Sequence, residues 1–220
     1  SVSVETALGR RVVFVGDLVD RGPRVPDTLR IVMGMVARSQ ALCVPGNHDA
    51  KFLRWLEGHN VRPTHGLDRS IAQMEGDDAG LREQARAFLT ALPTYLWLAQ
   101  GKLAVAHAGI RDDMIGTHSG HVRRFCIYGD TDGELDSNGL VIRYHWAAHH
   151  RGATQVIYGH TPVPEAVWVN NTLCVDTGCC FGGALTALRW PEGQLVRMPA
   201  RAEYAERRRP FGHPDVRPQS

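Results

Sequence analysis

The chain has 220 residues and a mass of 24.3 kDa, of which 43% are hydrophobic and 22% charged. That length suits one domain with a tail or insertion, and that balance buries a core unaided, which excludes disordered, collagenous and cystine-framework classes. The formal charge of +2 belongs to residues 201–220, where five arginines, Arg217 among them, face three acids, so net charge gives no argument for a nucleic-acid or membrane partner.

No apolar run reaches the roughly 18 residues that span a bilayer, and Ser1-Val2-Ser3-Val4-Glu5 is not a secretory signal. The expected location is the cytoplasm. Five cysteines form an odd set without a Cys-x-x-Cys pair, which points to reduced thiols rather than to a disulfide framework or structural zinc.

In chain order, β-branched runs predict strands over residues 11–15 and 41–44, with a helix over 26–38 between them. Residues 54–74 read as helix in two pieces broken near Pro63. Leu81, Ala85, Phe88, Leu89 and Leu92 keep helical spacing until Pro93 closes the segment. Further strands are predicted over 102–106, 155–158, 172–175, 184–190 and 194–198. Alternating strands and helices followed by strands in succession predict an α/β fold of mixed sheets with covering helices. Residues 1–200 are expected as one domain and 201–220 as a basic tail or linker. Trp55, Trp97 and Trp190 read as core, and His145, His149 and His150 as loop histidines. The polar loop of residues 128–139 invites an EF-hand reading, but counting from Asp130 puts Leu135 where glycine is needed and Val141 where the bidentate glutamate belongs.

Four predicted strands stop at polar residues. The first delivers Gly16-Asp17-Leu18-Val19-Asp20-Arg21-Gly22, the second Pro45-Gly46-Asn47-His48-Asp49, and two later ones His107-Ala108-Gly109 and Gly159-His160-Thr161-Pro162. An Asp-capped turn or a satisfied histidine explains any one of these, whereas packing alone rarely brings all four to strand ends. Carboxylate, amide oxygen and neutral imidazole are donors for borderline or hard divalent ions in an open site. Arginine binds no metal but clamps a tetrahedral phosphate. A carboxylate bridging two ions suits in-line displacement on phosphorus by metal-activated hydroxide, with His48 placed to protonate the departing oxygen.

These ordered motifs resemble those of the calcineurin-like, phosphoprotein-phosphatase type of binuclear metallophosphatase. The resemblance implies two mixed β-sheets packed together with helices outside. It implies that Asp17 bridges the metals, that Asn47, His107 and His160 complete the second one, that Arg21 binds phosphate, and that His48 is the general acid oriented by Asp20. Two divalent ions are implied, Mn2+ or Ni2+ first, with Fe or Zn also suited to such donors.

A closer resemblance, carried by Tyr128-Gly129-Asp130-Thr131, Arg143-Tyr144 and the run from Tyr158 to Arg189, is to the phosphatase module of bacterial polynucleotide kinase-phosphatase. It implies removal of 2′- or 3′-phosphates or 2′,3′-cyclic phosphates from RNA ends, RNA ends as partners alongside kinase and ligase modules, and a role for Asp176. The residue-level alternative for Asp176 is a cap on the turn after its strand. Protein serine/threonine phosphatase and dinucleoside-polyphosphatase are the alternative activities within the superfamily, and a non-catalytic remnant is the alternative outside it. The family's opening Asp-x-His strand is not found in the chain; the expectation is therefore a fold with its first strand missing and an impaired first metal.

Overall fold

Two apolar triplets, Val12–Phe14 (β1) and Ala41–Cys43 (β2), pair in parallel. Parallel neighbours need a long crossover, and Val25–Ala37 (α1) supplies it. Pro26 sits in the first turn, where its missing N–H costs nothing. Val25, Leu29, Val32 and Met35 recur at helical spacing and are buried. The computed structural model describes residues 9–137, 139–212 and 216, and Arg217 lies outside them.

Three more helices follow: Asn47–Leu56 (α2), Leu67–Glu75 (α3) and Ala79–Ala91 (α4). Asp78 caps α4 by accepting from the Gly80 amide at 2.9 Å. Leu92, held extended before Pro93, ends it. The expected two-piece helix over 54–74 is displaced, because α2 starts seven residues earlier at Asn47.

The chain forms two compact units, Ser1–Pro93 and Thr94–Ser220. Each has its own apolar cluster: Leu29, Phe52, Leu67 and Met74 in the first, Ile110, Cys126, Trp146 and Val156 in the second.

In the second unit a five-stranded mixed sheet runs in the order β3-β4-β5-β7-β6. Its strands are Leu96–Leu98 (β3), Leu103–Val105 (β4), Gln155–Tyr158 (β5), Trp168–Val169 (β6) and Thr172–Cys174 (β7). The central pairs β4–β5 and β5–β7 are parallel and the outer two antiparallel. A three-stranded antiparallel sheet holds Asp176–Thr177 (β8), Ala184–Arg189 (β9) and Gln194–Pro199 (β10). Gly120–Tyr128 (α5) opens with Ser119, whose hydroxyl accepts from the Val122 amide at 3.1 Å.

Two expectations of burial need correction, one for a core residue and one for a loop residue. Trp97 is 53% exposed, because it alternates with the inward Leu96 and Leu98 on an edge strand. His150 is buried, not a solvated loop residue; its Nδ1 faces Asp112 Oδ1 at 3.0 Å and its Nε2 the Thr154 carbonyl at 3.0 Å.

Within the basic segment, contacts to the rest of the second unit run as far as Gly212. Tyr204 N donates to the Cys180 carbonyl, Gly212 N to that of Pro162, and the Phe211 ring lies against Phe181 and over Gly178. Arg209 pairs with Asp136 at 3.0 Å. That acid also accepts from Leu140 N, so it serves the hairpin of the 128–139 loop. Asn138 of that loop lies outside the described residues.

Candidate active site

Parallel pairing sends β1 and β2 out of their sheet at the same edge, and in each case the next residues carry the polar motif. After β1 the backbone enters the left-handed region at Gly16, Asp17, Asp20 and Arg21, with φ of 86°, 54°, 71° and 61°. Each non-glycine there costs about 1–3 kcal/mol and persists only where its surroundings enforce it.

Asp49 supplies that enforcement. Its side chain, 1% exposed, accepts from the backbone N–H of Asp17 at 2.7 Å, Leu18 at 2.9 Å and Gly46 at 2.8 Å. One carboxylate therefore ties the β1 loop to the start of α2, whose positive N-terminal end favours the negative charge. The two loops also touch backbone to backbone. A Cβ on Gly16 would collide with Gly46, and one on Gly46 with the Asp17 carboxylate.

Asp17, Asp20, Arg21, Asn47 and His48 all gather in this first unit. The Asp17 carboxylate accepts from the His48 amide at 3.1 Å. His48 is buried in the first turn of α2, and its Nδ1 meets Asp20 Oδ2 at 2.5 Å. Burial of the ring opposes its charging, but the Asp17 carboxylate and the hydrogen bond to Asp20 outweigh burial and the nearby Arg21, so the ring holds its proton above the ordinary histidine value. A histidine in that state is a proton donor for a leaving oxygen. The Arg21 backbone packs against Gly66 at the start of α3, a glycine with φ of 96° that leaves no room for a side chain.

In the second unit the ladder between β4 and β5 continues past both strands, with Ala106 N donating to the Ile157 carbonyl and Gly159 N to that of His107. His107 and His160 thereby face one another, with Nε2 and Nδ1 3.0 Å apart. Two imidazole donors at about 2.1 Å from one ion and at right angles to each other lie about 3.0 Å apart, so this pair fits a divalent metal. His160 has φ of 72°, a further left-handed residue at a strand end. Its carbonyl accepts from Arg143 Nη1 at 3.2 Å. The glycine of His107-Ala108-Gly109 is explained by packing: a Cβ there would lie inside the Trp146 ring, whose Nε1 donates to the Ala108 carbonyl at 3.0 Å.

The Asp176 carboxylate accepts from the Gly178 amide at 3.0 Å, which is the turn-capping arrangement at the end of β8. Asp49 and Ser70 carry structural roles that the motifs did not reveal. For Asp49 a signal existed, an acid at the third helical position after a glycine N-cap. Ser70 approaches from α3, 50 positions from Asp20, with no local pattern to mark it.

The family model of calcineurin-like phosphoesterases matches residues 7–177. A bis(5′-nucleosyl)-tetraphosphatase PrpE [asymmetrical] of Anoxybacillus flavithermus is 46% identical over 208 residues, covering 92% of this chain and 85% of that protein. The protein of the same name from Bacillus subtilis is 43% identical over 204 residues, covering 91% and 84%. A crystal structure provisionally assigned as a diadenosine tetraphosphatase superposes with a TM-score of 0.60 at 22% identity, covering 86% of this chain and 80% of that one, a likeness of fold alone. These relatives bear the name of an activity expected as an alternative, dinucleoside-polyphosphatase, and not that of the RNA-repair phosphatase the closer resemblance implied. Among the described residues no helix is long and apolar enough to cross a membrane.

Proposed function

Because the chain belongs to the calcineurin-like phosphoesterase family, a family of metal-dependent hydrolases, we propose that it hydrolyses dinucleoside polyphosphates, cleaving the tetraphosphate bridge asymmetrically. The observation that carries this reading is identity above 40% over more than four-fifths of relatives named for that activity. Asp17, Asn47, His107 and His160 are the proposed ligands of divalent metal, which when bound activates water and neutralises charge on the phosphate.

The remaining roles fall to this chain's own side chains. Arg21 is the proposed phosphate clamp, its planar guanidinium matched to two phosphate oxygens. His48 is the proposed proton donor to the leaving oxygen, held by Asp20 through Nδ1. Asp49 keeps the loop bearing Asp17 in register with the helix bearing His48. Asp176, whose carboxylate also caps the turn at Gly178, is the remaining proposed catalytic residue.

The test is a competition at equal concentration between diadenosine tetraphosphate, a 3′-phosphorylated oligoribonucleotide and a phosphoserine peptide, with Mn2+ supplied. Nucleoside triphosphate and monophosphate in equal amounts are expected from the first, at the highest kcat/KM. Faster turnover of the RNA end or the peptide overturns the reading. His48→Ala is expected to lower kcat by about 10²–10⁴.

A further inference from the structure

Asp20 has two carboxylate oxygens and only one of them serves His48. The other, Oδ1, accepts from the Ser70 hydroxyl at 2.6 Å. The same hydroxyl oxygen accepts from the Asp20 backbone N–H at 2.9 Å. One side chain thus fixes both the rotation of the Asp20 carboxylate and the left-handed backbone, φ 71°, on which it stands. Ser70 is completely buried on the inner face of α3, in line with the core residues Leu67 and Met74. An apolar residue would fill a purely structural position there without the cost of burying a hydroxyl.

We infer that Ser70 is a positioning residue for proton delivery, acting through Asp20 on His48; the inference rests on the phosphoesterase reading above. With both Asp20 oxygens engaged, the carboxylate cannot turn away, and the imidazole is held with Nδ1–H toward Asp20 and Nε2 free to serve the substrate. In the step concerned, water adds to phosphorus and the bond from phosphorus to the leaving oxygen breaks. The electron pair goes to that oxygen, which takes the proton from His48 Nε2. The proton released by the attacking water restores the ring.

A residue that acts through proton delivery matters most when the leaving oxygen is basic. The test compares the full chain with Ser70→Ala, Ser70→Thr and Ser70→Cys on 4-nitrophenyl phosphate, whose leaving group needs little protonation, and on phenyl phosphate, with Mn2+ present. Ser70→Ala is expected to lower kcat about tenfold on phenyl phosphate but less than about threefold on the nitrophenyl ester, with KM unchanged. Ser70→Thr, which keeps the hydroxyl, restores the ratio. Equal losses on both esters, or no loss, overturn the inference. If Ser70→Ala does not fold, Ser70→Cys, similar in size but a weak donor, is judged by the same ratio.

The Nδ1 proton of His48 gives a second readout by 15N-resolved NMR that needs no turnover. It is expected to be protected from exchange in the parent and Ser70→Thr, and exposed in Ser70→Ala or Ser70→Cys; an unchanged signal overturns the inference. The ring signal decides if the parent cleaves diadenosine tetraphosphate but neither aryl ester. A parent that hydrolyses no phosphoester at all sinks the functional reading, whereas an active parent with an indifferent Ser70 sinks only this one.

Discussion

Replacing Asp49 by asparagine changes one atom and tests whether a single carboxylate holds the site loop. Asp49 Oδ2 accepts from two amides, those of Asp17 and Gly46, and Oδ1 from that of Leu18. Asparagine keeps one oxygen, best placed where two donors converge, and turns its NH2 toward the Leu18 N–H. A buried donor left facing another donor costs about 1–3 kcal/mol, and the two surviving bonds fall from charge-assisted to neutral strength, about 1 kcal/mol each. Burying an amide in place of a carboxylate returns part of this. The net loss is about 2–4 kcal/mol, a large share of the roughly 5–15 kcal/mol typical of a folded domain. Urea unfolding would read the loss, and hydrogen exchange would show protection falling at the Asp17, Leu18 and Gly46 amides. A loss below about 1 kcal/mol with those amides still protected would refute the assignment.

Two further outcomes follow from the second unit and the buried thiols. Gly109→Ala places a methyl inside the Trp146 ring on a backbone with φ of 106°, and is expected to destabilise by about 2–4 kcal/mol with a shifted tryptophan emission; a loss within about 0.5 kcal/mol would contradict the packing. Burial pushes the thiols of Cys43 and Cys174 well up, and that of Cys126 to about 12. Folded values raised above the unfolded ones mean stability that is full below the unfolded thiol pKa and lost as pH rises through the folded values. Unfolding free energy should therefore fall above about pH 8.5 by about 1.4 kcal/mol per pH unit for each such thiol. Cysteine-to-alanine exchange at all three should flatten that alkaline limb in urea melts.

The elements most legible in the sequence are those whose pattern is local. Seven runs of apolar or β-branched residues became β1, β2, β4, β5, β7, β9 and β10 within two residues of their expected bounds. Strands β6 and β8 are two residues each, too short for any alternation to register. Asn47–Leu56 was hidden by its own chemistry, since Pro45-Gly46-Asn47 reads as loop while Asn47 and His48 are already the first turn of α2. The site motifs were legible because each lies on contiguous residues at a strand end. Ser70 was not, because its role depends on how α3 meets the β1 loop. Substrate class is not legible in the motifs for a related reason: they describe what meets the phosphate, a group that RNA ends and dinucleoside polyphosphates share.

The contact between Gly16 and Gly46 bears on how such a site can change over generations. Because each glycine is barred from carrying a side chain by the other's main chain or by the Asp17 carboxylate, enlarging one offers no room that shrinking the other can restore. Most packed pairs can drift by compensating exchange, large for small; this pair has no such route. Diversification toward new phosphate esters must therefore proceed from the periphery inward, through residues that touch the organic part of the substrate, while these two positions stay unadorned.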